Sequence, residues 1–124
     1  MNFEHQFKEW ITLLNKAENP STEITAFNFG LFQTEAGYCM YLTGSKRFDA
    51  EDDDWAVEVD FEPKEKYLEI DPPFSKELTW DKVLDIAVIV IKSYVGSVEF
   101  ENSILGRAEA VTTGFDDGEL IRIK

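Results

Sequence analysis

The chain has 124 residues, 44% of them hydrophobic and 14% aromatic, and its 25 acids against 12 bases leave a net charge of −13. That length makes a single domain, residues 1–124, able to remove roughly two thirds of its unfolded surface from water, and the aromatic content argues against disorder. Nucleic acid and anionic membrane surfaces are poor partners for such a charge, because both repel it.

A lone cysteine, Cys39, cannot form an internal disulfide and suits a reducing compartment. The opening MNFEHQFKEW lacks the basic start and apolar run of a signal peptide. The longest apolar run, Ile86 to Ile91, falls far short of the roughly 20 residues that cross a bilayer. The expected setting is soluble and cytoplasmic.

In chain order, Phe3, Phe7, Trp10, Ile11 and Leu14 form one helical stripe, which predicts a helix over residues 3–17. Asn2 is placed to cap it, and Asn19-Pro20 to stop it. Residues 24–35 and 38–43 alternate as two strands around Ala36-Gly37. Trp55, Val57, Val59 and Phe61 alternate with Ala56, Glu58, Asp60 and Glu62, which predicts a half-buried strand with one acidic face. A short strand over Tyr67, Leu68 and Ile70 follows. Thr79 then offers a cap, with Asp81 in the first turn, for a helix whose face is Trp80, Val83, Leu84, Ala87, Ile91 and Tyr94. The run 86–91 is apolar all round, so this helix is expected to be buried. Residues 107–115 and 120–124 read as a hairpin about Asp116-Asp117-Gly118-Glu119, the Asp-Gly pair supplying a positive φ. The sum is an α+β domain: a mainly antiparallel sheet of five or six strands with an N-terminal and a central buried helix.

Charge is concentrated in one place. Between Asp49 and Asp71 lie eleven carboxylates and two lysines, Lys64 and Lys66, a net −9, against −1 for residues 1–48 and −3 for residues 72–124. Such a density needs a solvated surface or a basic partner. If it were a calcium loop counted from Asp49, ligands would fall on Asp49, Glu51, Asp53 and Asp60. The glycine needed at the sixth position is Asp54, and the twelfth-position Glu is replaced by Asp. A solvated acidic loop with no metal and no cofactor is the better reading. His5 and Cys39 are alone of their kinds, too few for a zinc site, and Cys39 between Tyr38 and Met40 reads as a packed thiol. No phosphate loop, nucleophile elbow or dinucleotide pattern is present, so nothing marks an enzyme.

The run Leu42-Thr43-Gly44-Ser45-Lys46-Arg47-Phe48-Asp49, then Asp52-Asp53-Asp54-Trp55-Ala56 and Asp60-Phe61-Glu62-Pro63, resembles small bacterial proteins of toxin–immunity loci. The later Thr113-Gly114-Phe115-Asp116-Asp117-Gly118-Glu119-Leu120 is similar to the same group, and its hairpin resembles the glucan-synthesis-regulator-like group that contains immunity proteins. The resemblance implies a cytoplasmic immunity protein that blocks a cognate toxin domain. Toxins that attack nucleic acid carry basic clefts, which a dense set of carboxylates can occupy. The expected contacts are Asp49, Glu51, Asp52, Asp53, Asp54, Glu58 and Asp60, with Phe48 as an aromatic anchor. The alternative is a small carboxylate- or cation-dependent hydrolase using the 49–60 segment. A third reading is a subunit of a larger assembly. Monomer and homodimer both remain open.

Overall fold

A computed structural model describes residues 3–124; the cap expected at Asn2 lies outside them. Helix α1 (Phe3–Ala17) forms as its stripe requires, with Phe3, Phe7, Trp10, Ile11 and Leu14 all buried. Strands β1 (Ala26–Thr34) and β2 (Gly37–Ser45) make an antiparallel hairpin whose last pair is Thr34 with Gly37. Gly37 has φ +148°, a conformation that side chains disfavour, and a Cβ there would lie 2.5 Å from the Ser75 hydroxyl. Strand β3 (Tyr67–Ile70) extends β2, and β4 (Ala110–Phe115) runs parallel beside β1. The sheet has five strands in the order β3-β2-β1-β4-β5, with β5 (Ile121–Arg122) at one edge. It is mostly antiparallel, and the fold is α+β.

Cross-strand register sorts the side chains. Phe27, Phe29 and Leu31 of β1 lie level with Gly44, Leu42 and Met40 of β2 and with Val111, Thr113 and Phe115 of β4. This inner face packs on α1 and on α3 (Trp80–Val95); the Phe7 ring lies 5.5 Å from Phe29 and 5.7 Å from Tyr94. Two short helices, α2 (Pro72–Ser75) and α4 (Val98–Glu101), link these layers. The outer face carries Ala26, Asn28, Gly30 and Phe32 with their partners Ser45, Thr43, Tyr41 and Cys39.

Four expectations are corrected. Residues 55–61 do not form a half-buried strand. Asp53–Val57 is a 3-10 helix, and Phe61 keeps a single bridge to Gly44. The reason is competition for β2: β3 takes its edge from Tyr38 to Tyr41, leaving one backbone position for the acidic segment. The 3-10 turn also resets the alternation. Trp55 packs against Ala26 and Ala110 on the outer face, whereas Phe61 meets Phe27 on the inner one, 6.1 Å between rings. Val57 and Val59 are exposed, Val57 at 80%.

The central helix is not buried all round. One layer of helices covers the sheet, so α3 buries Val83, Ala87, Val90, Ile91 and Tyr94 but leaves Trp80 and Ile89 exposed. Thr79 occupies the cap position, yet its hydroxyl donates to the Asp81 carboxylate rather than accepting from the helix backbone. In the last hairpin Gly118 has no positive φ. Residues 116–120 make a longer connection, closed by Gly118 N–H donating to Phe115 O at 3.0 Å.

Candidate functional site

The connection from β2 to β3 lies across part of the sheet's outer face, and hydroxyl and carboxylate oxygens hold it there. Ser45 Oγ donates to the carbonyls of Trp55 (3.1 Å) and Glu58 (2.6 Å). Asp52 accepts from Asp54 N–H at 2.9 Å and so caps the 3-10 helix. Asp49 accepts from Glu51 N–H at 2.9 Å, and Asp60 from Lys46 N–H at 2.8 Å. Asp53 reaches further, accepting from Leu120 N–H at 3.0 Å and tying the acidic segment to the connection before β5. Glu58 pairs with Arg47 at 2.9 Å. Much of the acidic run is therefore written into the fold of its own loop.

All seven carboxylates expected at the site are exposed on this one segment. Asp49, Asp52, Asp53, Glu58 and Asp60 hold the loop through the bonds above, while Glu51 and Asp54 stand at the surface. Phe48 is half-buried: its ring lies 5.4 Å from Trp55, and the Arg122 guanidinium sits 4.8 Å from its centroid. Among the described residues, no three His, Cys, Asp or Glu side chains come together as a metal requires. Cys39 lies on the outer face, with its Sγ 3.6 Å from Met40 O, whereas His5 is on α1 across the sheet. Burial, reinforced by Glu69, pushes the Cys39 thiol above its usual pKa. Among the described residues, no helix is long and apolar enough to cross a membrane.

The connection leaves part of the outer face open. There Phe32, Tyr41 and Tyr67 form a cluster, with both Phe32–Tyr67 and Phe32–Tyr41 ring centroids 6.1 Å apart. With Val57 and Val59 they line a shallow depression of about 590 Å³. A second, of about 250 Å³, is lined by Asp53, Asp54, Tyr41 and Asp116, and a third, of about 400 Å³, by Phe32, Trp80 and Phe115. Asp116 borders all three. No family model matches this chain, and no curated protein and no solved structure does either.

The Tyr41 hydroxyl donates to Asp116 Oδ1, so the carboxylate is held where the depressions meet. Burial first, then this hydrogen bond and the negative charge, push the Tyr41 phenol well above its usual pKa. Lys66 lines the aromatic depression, 5.3 Å over the Tyr67 ring and 5.5 Å over Tyr41, and it pairs with Glu62 at 3.0 Å. Burial pulls the Lys66 ammonium down, but Glu62 and Tyr67 together outweigh it and the net direction is up.

Sequence reasoning found the acids and missed the aromatic floor. Along the chain Asp116 belongs to a turn motif and Tyr67 to a short strand, and neither position is marked as part of a surface. The available signal was the phase of β2, in which Cys39, Tyr41 and Thr43 alternate against Tyr38, Met40 and Leu42. As a whole the arrangement presents fixed negative charge beside exposed rings, a combination suited to binding a cationic surface.

Proposed function

We propose that this chain is an immunity-type inhibitor that binds and neutralises a cognate toxin domain of basic charge through the outer face of its sheet. It acts by occupancy, without turnover, in the cytoplasm of the cell it protects. The observation that carries this reading is that Asp53 and Asp54 border a depression that shares Tyr41, Ala56, Val57 and Asp116 with the open aromatic one. Charge steers encounter, while buried rings supply much of the affinity at a tight interface. The resemblance of residues 42–49, 52–56, 60–63 and 113–120 to toxin–immunity proteins supports the same reading.

The test is binding to the product of the adjacent upstream reading frame, measured at low and high salt, together with rescue of cells from that product. The informative variant carries Glu51→Gln, Asp53→Asn and Asp54→Asn, because an amide oxygen at 53 can still accept the Leu120 N–H. Removing three charges should slow association about tenfold or more at low salt, with little change in dissociation. Unchanged association kinetics would sink the acidic-face mechanism. Absence of both binding and rescue would sink the immunity reading itself.

A further inference from the structure

Asp116 is a fixed carboxylate at the junction of three depressions. Among the described residues it makes no ion pair. Tyr41 supplies one hydrogen bond to Oδ1, and an ionised carboxylate has acceptor capacity well beyond that. Around it lie exposed apolar groups that the fold does not cover. Tyr67 is 57% exposed, Val59 41% and Val57 80%, on a chain whose inner face buries its large side chains efficiently. An exposed apolar patch rimmed by polar groups is a common mark of an interaction site.

The chemistry of the patch narrows its occupant. Rings attract a cation over their faces, arginine more often than lysine. Lys66 already takes such a position over Tyr41 and Tyr67, so this cluster accepts positive charge within its own chain. Glu62 is committed to Lys66, and Glu58 to Arg47, whereas Asp116, Asp54 and Asp117 are committed to no cation among the described residues. Lys66 and Asp116 both line the depression; with Lys66 paired to Glu62, Asp116 is left uncompensated there, and the whole molecule is negative by 13 charges. A neutral apolar segment would meet unpaired carboxylates, and an acidic one would be repelled. A guanidinium satisfies both parts: its plane stacks on a ring while its donors reach a carboxylate.

We propose that the depression formed by Phe32, Tyr41, Tyr67, Val57 and Val59, which Lys66 also lines, seats an arginine side chain of a protein partner, hydrogen-bonded to Asp116 and stacked on Tyr67 in place of the Lys66 ammonium, which Glu62 retains. This deepens the inhibitor reading above and rests on it for the identity of the partner, though not for the chemistry of the seat. The 49–60 carboxylates then act mainly at long range, and the aromatic seat fixes the docked orientation. Tyr41 is a positioning residue, since its hydroxyl holds Asp116 toward the seat.

The experiment titrates an octa-arginine peptide, with octa-lysine as the comparison, into the folded protein at about 150 mM salt, where exposed charges are largely screened beyond about 8 Å. Chemical-shift changes should concentrate at Phe32, Tyr41, Tyr67, Val57, Val59 and Asp116, and octa-arginine should bind more tightly than octa-lysine. Tyr67→Ala should weaken the arginine peptide about tenfold, while Tyr67→Phe, which keeps the ring, should restore it. Tyr67 is exposed on an edge strand, so loss of fold is not expected. Val57→Ser, at a residue with little packing to lose, should weaken binding severalfold as an independent check. Shift changes spread evenly along residues 49–60, or Tyr67→Ala binding as tightly as the parent, would overturn the seat. The two readings fail separately. A toxin partner bound equally by the parent and by Tyr67→Ala overturns the seat and leaves the inhibitor standing. Peptide binding at the seat with no toxin partner overturns the inhibitor and leaves the seat.

Discussion

Gly30 and Tyr41 face each other across the β1–β2 pair, and the tyrosine ring occupies the space a side chain at 30 would need. A Cβ on Gly30 would sit 2.0 Å from Tyr41 Cζ. Glycine in a central strand costs packing, and a cross-strand ring over it is one way to recover that loss. The same ring ends in the hydroxyl that holds Asp116. Its raised pKa makes a prediction with a definite sign. Below pH 10, where free tyrosine is neutral, the contribution is fully present. As pH climbs past 10, the unfolded chain loses the Tyr41 proton while the folded chain keeps it, so stability falls toward the higher folded value. In urea unfolding between pH 9 and 11, Tyr41→Phe should show a shallower loss of stability than the parent. Equal slopes would mean that the phenol is not held as described. None of this was visible along the chain, because Tyr41 and Asp116 are 75 residues apart and meet only once β4 lies beside β1.

The 3-10 helix shows what an element can conceal. Residues 55–62, which the 3-10 helix enters, have the alternating pattern of a strand, and a strand needs a free backbone edge to pair with. That edge is largely taken by β3. With no ladder to join, the segment satisfies its backbone groups through side chains: the Asp52 carboxylate accepts from Asp54 N–H, and the Ser45 hydroxyl donates to the Trp55 and Glu58 carbonyls. The acids here are thus structural as well as electrostatic, and substitutions separate the two roles. Asp52→Ala removes the cap and should cost about 1 kcal/mol in chemical unfolding, whereas Asp52→Asn removes the charge, keeps an acceptor and should cost much less. Equal losses would assign the effect to charge alone. Elements with a strong periodic signal behaved differently. Helix α1 runs from Phe3 to Ala17 as its stripe predicts, because five large side chains at helical spacing have one way to share a face. For α3 the length was legible but the exposure was not: whether Ile89 meets solvent depends on whether a further layer covers that side.

At the scale of the whole molecule, unbalanced charge works against compactness. The fold responds by placing the 49–62 acids on the surface, where Arg47 pairs with Glu58 and Lys66 with Glu62 and so offset part of their repulsion. Self-repulsion of this kind is screened by salt. Raising sodium chloride from about 10 mM to about 200 mM should therefore increase the thermal midpoint by a few degrees, and a midpoint that stays constant or falls would show that the acids are already neutralised within the fold. By itself the amino-acid sequence determined the α+β class, α1, the first hairpin, the short strand after Pro63 and the location of the negative charge. Those properties follow from periodicity, turn chemistry and composition, all of which are local. The tertiary structure alone decided that Trp55 and Phe61 serve opposite faces of the sheet, that Asp53 binds Leu120, and that Asp116 joins Phe32, Tyr41 and Tyr67 at one surface. Each of these depends on which strand edge is occupied and which face is covered, and such choices are settled by packing between residues distant in the chain.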